Sequence, residues 1–177
     1  MTERHLPAGA MAAAGLMSAG IILGGIGSAS ADDYTALLID PNVIVDTLAY
    51  TSGGMTANPG GQPGASAVYT HRDGRTITDT VWVLADPAAA AAAVTQAQGA
   101  AGIASPKTEA VDVGTGGQLI SGTSANGAQS VSLLSFTQGN AASTIQFAGP
   151  ANDPVPTDLV VQLGQAQDGL IKSRLGG

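Results

Sequence analysis

Residues 118–175 constrain the fold more than any other part of the chain, because three extended runs lead directly into an amphipathic helix. The runs 128–137 and 141–148 are joined by Gln138-Gly139-Asn140, and the run 118–123 is followed by Asn126-Gly127. An Asn-Gly pair between extended runs favours a tight hairpin turn. The sequence therefore predicts an antiparallel meander that ends in a helix.

The helix is predicted over residues 157–175. Thr157 is the expected N-cap, and the carboxylate of Asp158 suits the positive end of the helix dipole. Gly176 supplies the expected stop. The predicted apolar stripe consists of Leu159, Leu163, Ala166 and Leu170, widened by Val160, Gln167 and Ile171.

A second hairpin is predicted around Asp73-Gly74, between the runs 65–72 and 75–85. Both faces of the second run are apolar near Trp82, which is interpreted as a core anchor beneath a helix or as part of a pocket wall. Asp86-Pro87 then starts an alanine-rich helix.

Together with a short run at 109–113, these signals predict a single α+β domain over residues 32–177. We expect an antiparallel sheet of about six strands flanked by two principal helices.

Residues 51–64 (TSGGMTANPGGQPG) have glycine, proline or asparagine at most positions. Such a composition is typical of a flexible loop, and a loop of this length is usually functional or disordered. The segment is therefore predicted to be either a disordered connection or a binding lid.

Residues 1–31 have the features of a signal peptide. A short basic start is followed by an uncharged, apolar stretch and by Ala29-Ser30-Ala31, which predicts cleavage between Ala31 and Asp32. The expected product is secreted, and it is extracellular or associated with the cell wall. The rival interpretation is an uncleaved membrane anchor, since the stretch nearly reaches the length of a span.

The composition excludes several classes of function. With a net charge of −7, the chain is poorly suited to nucleic acid or to anionic lipid headgroups. It has no cysteine, which excludes disulfides, thiolate metal sites and a lipid-modified N-terminal cysteine. No stable membrane anchor is expected after cleavage.

Few residues in the predicted domain suit catalysis. His71 is its single histidine, and Asp73 and Asp79 are close enough in sequence to join it in a surface cluster. Turn formation explains Asp73, however, and exposure to solvent explains Asp79. No catalytic, cofactor or metal-binding motif is present, so the sequence predicts that the protein is not an enzyme and has no cofactor.

Three passages resemble the mycobacterial family of the LpqN-type lipoproteins and the proline-rich 28 kDa antigen. They are ALLIDPNVI, VWVLADPAAAAAAV and the ending from FTQGNAASTIQFAG to LIKSRL. The resemblance implies a Mog1/PsbP-like fold, an antiparallel sheet flanked by helices, that is exported to the cell envelope or the medium. It brings no catalytic motif with it.

The predicted function is that of an exported, non-enzymatic envelope or extracellular protein that binds a protein partner or an apolar cell-wall lipid. The alternative is a lipid carrier or a cryptic hydrolase with a pocket under the 51–64 loop. An enclosed apolar cavity would favour the carrier, and a cluster around His71 in a cleft would favour the hydrolase.

Overall fold

One seven-stranded antiparallel sheet forms the centre of the molecule in the computed structural model, which describes residues 34–44 and 48–176. Its strands lie in the order β1-β2-β3-β7-β6-β5-β4. They are β1 (Tyr50–Ala57), β2 (Gly64–His71), β3 (Thr76–Val83), β4 (Ala104–Ala110), β5 (Thr115–Thr123), β6 (Gln129–Gln138) and β7 (Ala141–Pro150).

Two helices complete the fold, α1 (Pro87–Ala100) after β3 and α2 (Thr157–Leu175) after β7. The predicted α+β class is therefore confirmed, with one strand more than expected. Within the described residues, no helix combines the length and the hydropathy needed to cross a membrane. The predicted signal peptide, residues 1–31, and its cleavage site lie outside the described part of the chain.

The additional strand is β1, which lies within the segment predicted to be a loop. The prediction of an irregular 51–64 segment is wrong for residues 51–57, which pair with β2, and Pro59–Gly61 forms a 3₁₀ turn. The side chains of β1 are almost all exposed, so the strand has no alternating apolar pattern to reveal it. An irregularity in pairing between Ser52 and Met55, at the two glycines, further obscured it.

Both outer strands of the sheet have protected edges. At β1, the Asn42 carboxamide accepts a hydrogen bond from the backbone N–H of Tyr50 at 2.9 Å and donates one to its carbonyl at 3.0 Å. It thus takes the place of a neighbouring strand. At the other edge, β4 contains Pro106, Lys107 and Glu109.

The predicted hairpin turns are confirmed. Asp73-Gly74 lies between β2 and β3, which pair along their whole length. Gly127 lies between β5 and β6, and Gly139 lies between β6 and β7. Their φ values of 69° and 58° correspond to a left-handed conformation that favours glycine. The short strand expected at 109–113 is displaced, because β4 ends at Ala110.

Helix α2 has the predicted limits, but its start and its buried face differ from prediction. Pro156 is the N-cap and Thr157 is already helical, so Thr157 makes no side-chain cap. The stripe is rotated by about one residue: Leu159 is only partly buried, while Gly164 is buried. A methyl group at Gly164 would collide with Leu134 and lie 3.1 Å from Val113. This glycine therefore lets α2 approach the sheet closely.

The main hydrophobic core lies on the α2 side of the sheet. Its buried side chains include Ile77, Leu134, Ile145 and Leu163. Residues 34–44, which we call the N-terminal strap, also contribute Leu37 and Leu38 to this core. Helix α1 packs on the opposite face, against β6 and β7, with a smaller core of its own.

Candidate functional site: an uncharged groove beside helix α1

Helix α1 is held in place over the sheet by hydrogen bonds near both of its ends. As predicted, Asp86 is the N-cap, and its carboxylate accepts a hydrogen bond from the Ala89 N–H at 2.8 Å. Leu84, two residues before Asp86, exchanges two hydrogen bonds with Asn140. Near the other end, Gln98 donates to the Ser135 hydroxyl at 2.8 Å.

Only a narrow part of α1 contacts the sheet. Ala90 and Val94 are the buried residues of the helix, and they pack against Ala142 of β7. The alanines to either side of these two residues are exposed or partly buried. Because their side chains end at a methyl group, they leave space beside the helix.

That space is an open groove of about 690 Å³ between α1 and the 3₁₀ turn Pro59–Gly61. Its helical wall is formed by Ala89, Ala92, Ala93, Gln96, Ala97 and Ala100. Its floor is formed by Thr80, Trp82, Leu133, Thr144 and Gln146, from strands β3, β6 and β7. A volume of this size is typical of small-molecule sites.

Trp82 fulfils both roles that the sequence suggested for it. It is partly buried and packs against the small core under α1, and it also lines the groove. Its indole N–H donates to the carbonyl of Pro59 at 3.1 Å. Since this bond fixes the ring and uses its donor, Trp82 offers the groove a rigid apolar surface.

The described residues that line the groove include no aspartate, glutamate, lysine, arginine or histidine. The polar groups are hydroxyls and carboxamides, and the hydroxyl of Thr80 already lies 2.8 Å from that of Ser66. Such a lining suits an uncharged or apolar molecule, because a charged group placed there would be desolvated without a partner. It offers no side chain for acid–base chemistry at neutral pH.

His71 does not line this groove. Its Nδ1 lies 2.6 Å from Asp73 Oδ1 in the β2–β3 turn, where Arg75 also pairs with Asp73 at 3.0 Å. The backbone N–H of Arg75 and the His71 side chain lower the pKa of Asp73. These contacts explain the cluster as a turn that is held together by the Asp73–Arg75 ion pair and by the contact between His71 and Asp73.

Asp79 is separate from that cluster, and the prediction that it is solvated is wrong. It is 0% exposed, on the α2 side of β3, and Oδ2 accepts a hydrogen bond from the Ile39 N–H at 3.0 Å. Burial raises the pKa of Asp79 to about 7. Strand alternation signals this burial, since Asp79 lies between Ile77 and Val81 on one face.

One alternative predicted from the sequence has a pocket under the 51–64 loop, and Pro59, Gly60 and Gln62 of that segment do form one wall of the groove. The opposite wall, on α1, is not predicted. The run of six alanines at 88–93 could have indicated it, because a helix that makes one narrow contact with a sheet does not need small residues on all its sides.

Comparisons with known proteins support the fold alone. A scan against models of protein families and a search of curated proteins gave no match. Among solved structures, the fold is similar to the extracellular domain of PknH from Mycobacterium tuberculosis, with a TM-score of 0.52 and 10% sequence identity. The alignment covers 84% of this chain and 98% of that domain. The chain thus shares the overall fold of that domain.

Proposed function

We propose that this protein is an exported, non-enzymatic binding domain whose groove beside α1 holds an apolar ligand of the lipid class. The observation that carries this proposal is the combination of a volume of about 690 Å³ with a lining that has no ionisable side chain. Apolar walls with a few polar groups are the usual composition of a small-molecule site.

The shape of the groove favours an extended ligand. Its helical wall runs from Ala89 to Ala100, which corresponds to about 16 Å at 1.5 Å per residue. One side of this path is made mainly of alanine methyl groups, and Trp82 lies on the floor. A hydrocarbon chain placed along the path would bury apolar surface over its whole length, at about 25 cal/mol per Å².

Binding is favoured over hydrolysis by the same lining. A hydrolase with a pocket in this place would need a general base within hydrogen-bond reach of its nucleophile. The groove has threonine hydroxyls but no base beside them, and His71 is engaged with Asp73 in a turn outside it. We therefore prefer binding of a lipid to its hydrolysis, and because the groove is open, it lacks the enclosure expected of a carrier.

Export is supported by two independent features. Residues 1–31 have the pattern of a signal peptide, with a predicted cleavage site between Ala31 and Asp32. The fold is similar to that of an extracellular domain. The resemblance to the LpqN-type lipoproteins and the proline-rich 28 kDa antigen agrees with this location and suggests a ligand from the cell envelope.

The proposal is tested by the fluorescence of Trp82, which is the only tryptophan in the chain. The probe is doxyl-labelled methyl stearate, a neutral single-chain lipid whose nitroxide quenches tryptophan on contact. We expect saturable quenching of the wild-type protein. Quenching that does not saturate, or no quenching, would contradict the proposal.

Two matched variants locate the binding. Ala97→Leu fills the groove, whereas Ala91→Leu adds the same side chain at an exposed position of α1 that does not line it. Leucine and alanine are both strong helix formers, so both variants should fold. We expect Ala97→Leu to weaken binding at least about tenfold, while Ala91→Leu binds as the wild type does. Equal binding by the two variants would show that the lipid binds elsewhere.

A further inference from the structure

The N-terminal strap is held on the core by two side chains from opposite sides. The Ile39 N–H lies 3.0 Å from Oδ2 of Asp79, on β3, and 2.8 Å from Oε1 of Gln167, on α2. The Gln167 carboxamide also donates to the carbonyl of Leu37. One peptide segment of the strap is therefore clamped between the sheet and the C-terminal helix.

Asp79 is an unusual partner for such a clamp. It is fully buried, and its second oxygen, Oδ1, has no hydrogen-bond partner among the described residues. A buried carboxylate normally has its charge balanced by a cation or by several donors. Complete burial without a paired cation disfavours the anion, and this effect outweighs the backbone N–H groups of Ile39 and Thr80, which favour it.

Among the described residues, no cation forms an ion pair with Asp79 or lowers its pKa. The strands on either side of β3 are β2 and β7. Strand β2 carries Tyr69, which lies within electrostatic reach of Asp79, and His71, which contacts Asp73, while β7 has no ionisable side chain. The strap carries Tyr34 and Asp40. On α2, Lys172 is paired with Asp168 at 2.5 Å. Ionisation of Asp79 thus adds an uncompensated negative charge beneath the strap.

We propose that Asp79 is a protonation-controlled latch, which holds the strap against the sheet while its carboxyl is neutral and releases the strap when the carboxyl ionises. Release lets water reach the charge, and it uncovers the apolar surface under Leu37 and Leu38. The strap lies at the N-terminal end of the described chain, so the latch makes its own attachment to the core sensitive to pH.

The sign follows from proton linkage. The closed strap favours the proton-bound carboxyl, because burial raises the pKa of Asp79 from 3.8 to about 7. The strap is therefore held best at acidic pH, and its attachment weakens as the pH rises towards 7. Between about pH 5 and 7, the equilibrium constant for opening should rise by up to about tenfold per pH unit, and it should level off above that range.

Native-state hydrogen exchange of the Ile39 amide, in low concentrations of guanidinium chloride and corrected for intrinsic rates, tests this proposal. The reference is the amide of Ile145, a buried residue of β7 opposite Asp79. We expect Ile39 to exchange faster than Ile145 and with a weaker dependence on denaturant, which is the signature of local opening. The opening constant obtained from the Ile39 amide should rise by up to about tenfold per pH unit between about pH 5 and 7.

Variants and a second measurement complete the test. Asp79→Asn should abolish the pH dependence at Ile39, and Asp112→Asn, at an exposed position, should retain it. The second measurement is the ¹³C chemical shift of the Asp79 carboxyl in the wild-type protein. Its titration midpoint should coincide with the pH at which the opening constant of the strap levels off. This measurement does not depend on whether the Asp79→Asn variant folds. Identical exchange of Ile39 and Ile145, an opening constant independent of pH, or a carboxyl that titrates at the ordinary value of 3.8 would each overturn the latch.

Discussion

Asp79 is the residue whose environment departs most from what its chemistry prefers. Its carboxyl group is 0% exposed, and burial raises its pKa more than the backbone N–H groups of Ile39 and Thr80 lower it, so the carboxyl is more stable protonated than ionised over a wide pH range. Between pH 3.8 and about 7, the folded protein therefore keeps a proton on Asp79, whereas the unfolded chain has released it. This difference makes the free energy of unfolding depend on pH.

We expect the contribution of Asp79 to the free energy of unfolding to be fully present below pH 3.8 and to be lost as the pH rises towards about 7. In that interval, the free energy of unfolding should decrease by at most about 1.4 kcal/mol per pH unit. Asp79→Asn removes this slope, and at pH 8 the variant should be more stable than the wild type by on the order of 2 kcal/mol. Urea unfolding from pH 5 to 8 measures both quantities. Equal slopes in the variant and the wild type would contradict the expectation.

Two glycines of α2 provide a matched comparison. A methyl group at Gly164 collides with Leu134, at an overpacking cost of about 1–3 kcal/mol, and it gains about 0.5–1 kcal/mol of helix propensity, so Gly164→Ala should lower the free energy of unfolding by up to about 2 kcal/mol. Gly169 has nothing within 4 Å of the added methyl group, so Gly169→Ala should raise it by about 0.5–1 kcal/mol, through helix propensity. Thermal unfolding of the two variants distinguishes these outcomes. A shift in the same direction for both would show that α2 is packed differently.

At the scale of elements, strand β1 has more importance than its composition indicates. It pairs with β2 from Tyr50 to Ala57 and covers the edge of a strand whose Ala65, Ala67 and Tyr69 are buried. It also leads directly into the turn at Pro59 that forms one wall of the groove. Its removal would therefore disturb both the core and the site.

We expect deletion of residues 51–57 to lower the melting temperature by at least about 5 °C, because β2 loses its outer neighbour. Gln62→Ala is the control, since it changes an exposed residue of the neighbouring turn and should leave the melting temperature unchanged. Differential scanning calorimetry gives both values. An unchanged melting temperature in the deletion variant would mean that β1 adds little stability.

Elements with strong local signals were predictable, and those defined by tertiary contacts were not. The turns at Asp73-Gly74 and Asn126-Gly127, the cap at Asp86 and the limits of α2 are local properties, and the structure confirms them. The face that α2 buries depends on Leu134, a residue distant in sequence that lies beneath Gly164. Similarly, the groove exists because α1 and the turn at Pro59 are held apart, a distance that no single segment encodes.

At the scale of the whole molecule, the sheet separates two layers with different roles. The groove and α1 lie on one face, and the strap, α2 and Asp79 lie on the other. The strap also connects distant parts of the chain, because Ile39 and Gln167 are 128 residues apart. The face that carries the latch is thus built from both ends of the described chain, and the groove face is built from its middle.

Because the sheet lies between them, the groove and the latch should be energetically independent. We expect the stability effects of Asp79→Asn and Ala97→Leu to add within about 0.5 kcal/mol in the double variant. Urea unfolding of the wild type, both single variants and the double variant at pH 8 completes the cycle. A coupling energy above about 1 kcal/mol would instead show that protonation of Asp79 is transmitted to the groove.

The carboxamide of Asn42 has a consequence for how these molecules behave together in concentrated solution. An open sheet edge can recruit a strand from another copy, and repetition of that step leads to fibres. Asn42 occupies the position from which an eighth strand would begin, beside Tyr50, and Pro106 removes a donor from the opposite edge. The sheet is therefore closed to growth at one point on each side, and a single side-chain amide helps to keep neighbouring molecules from joining edge to edge.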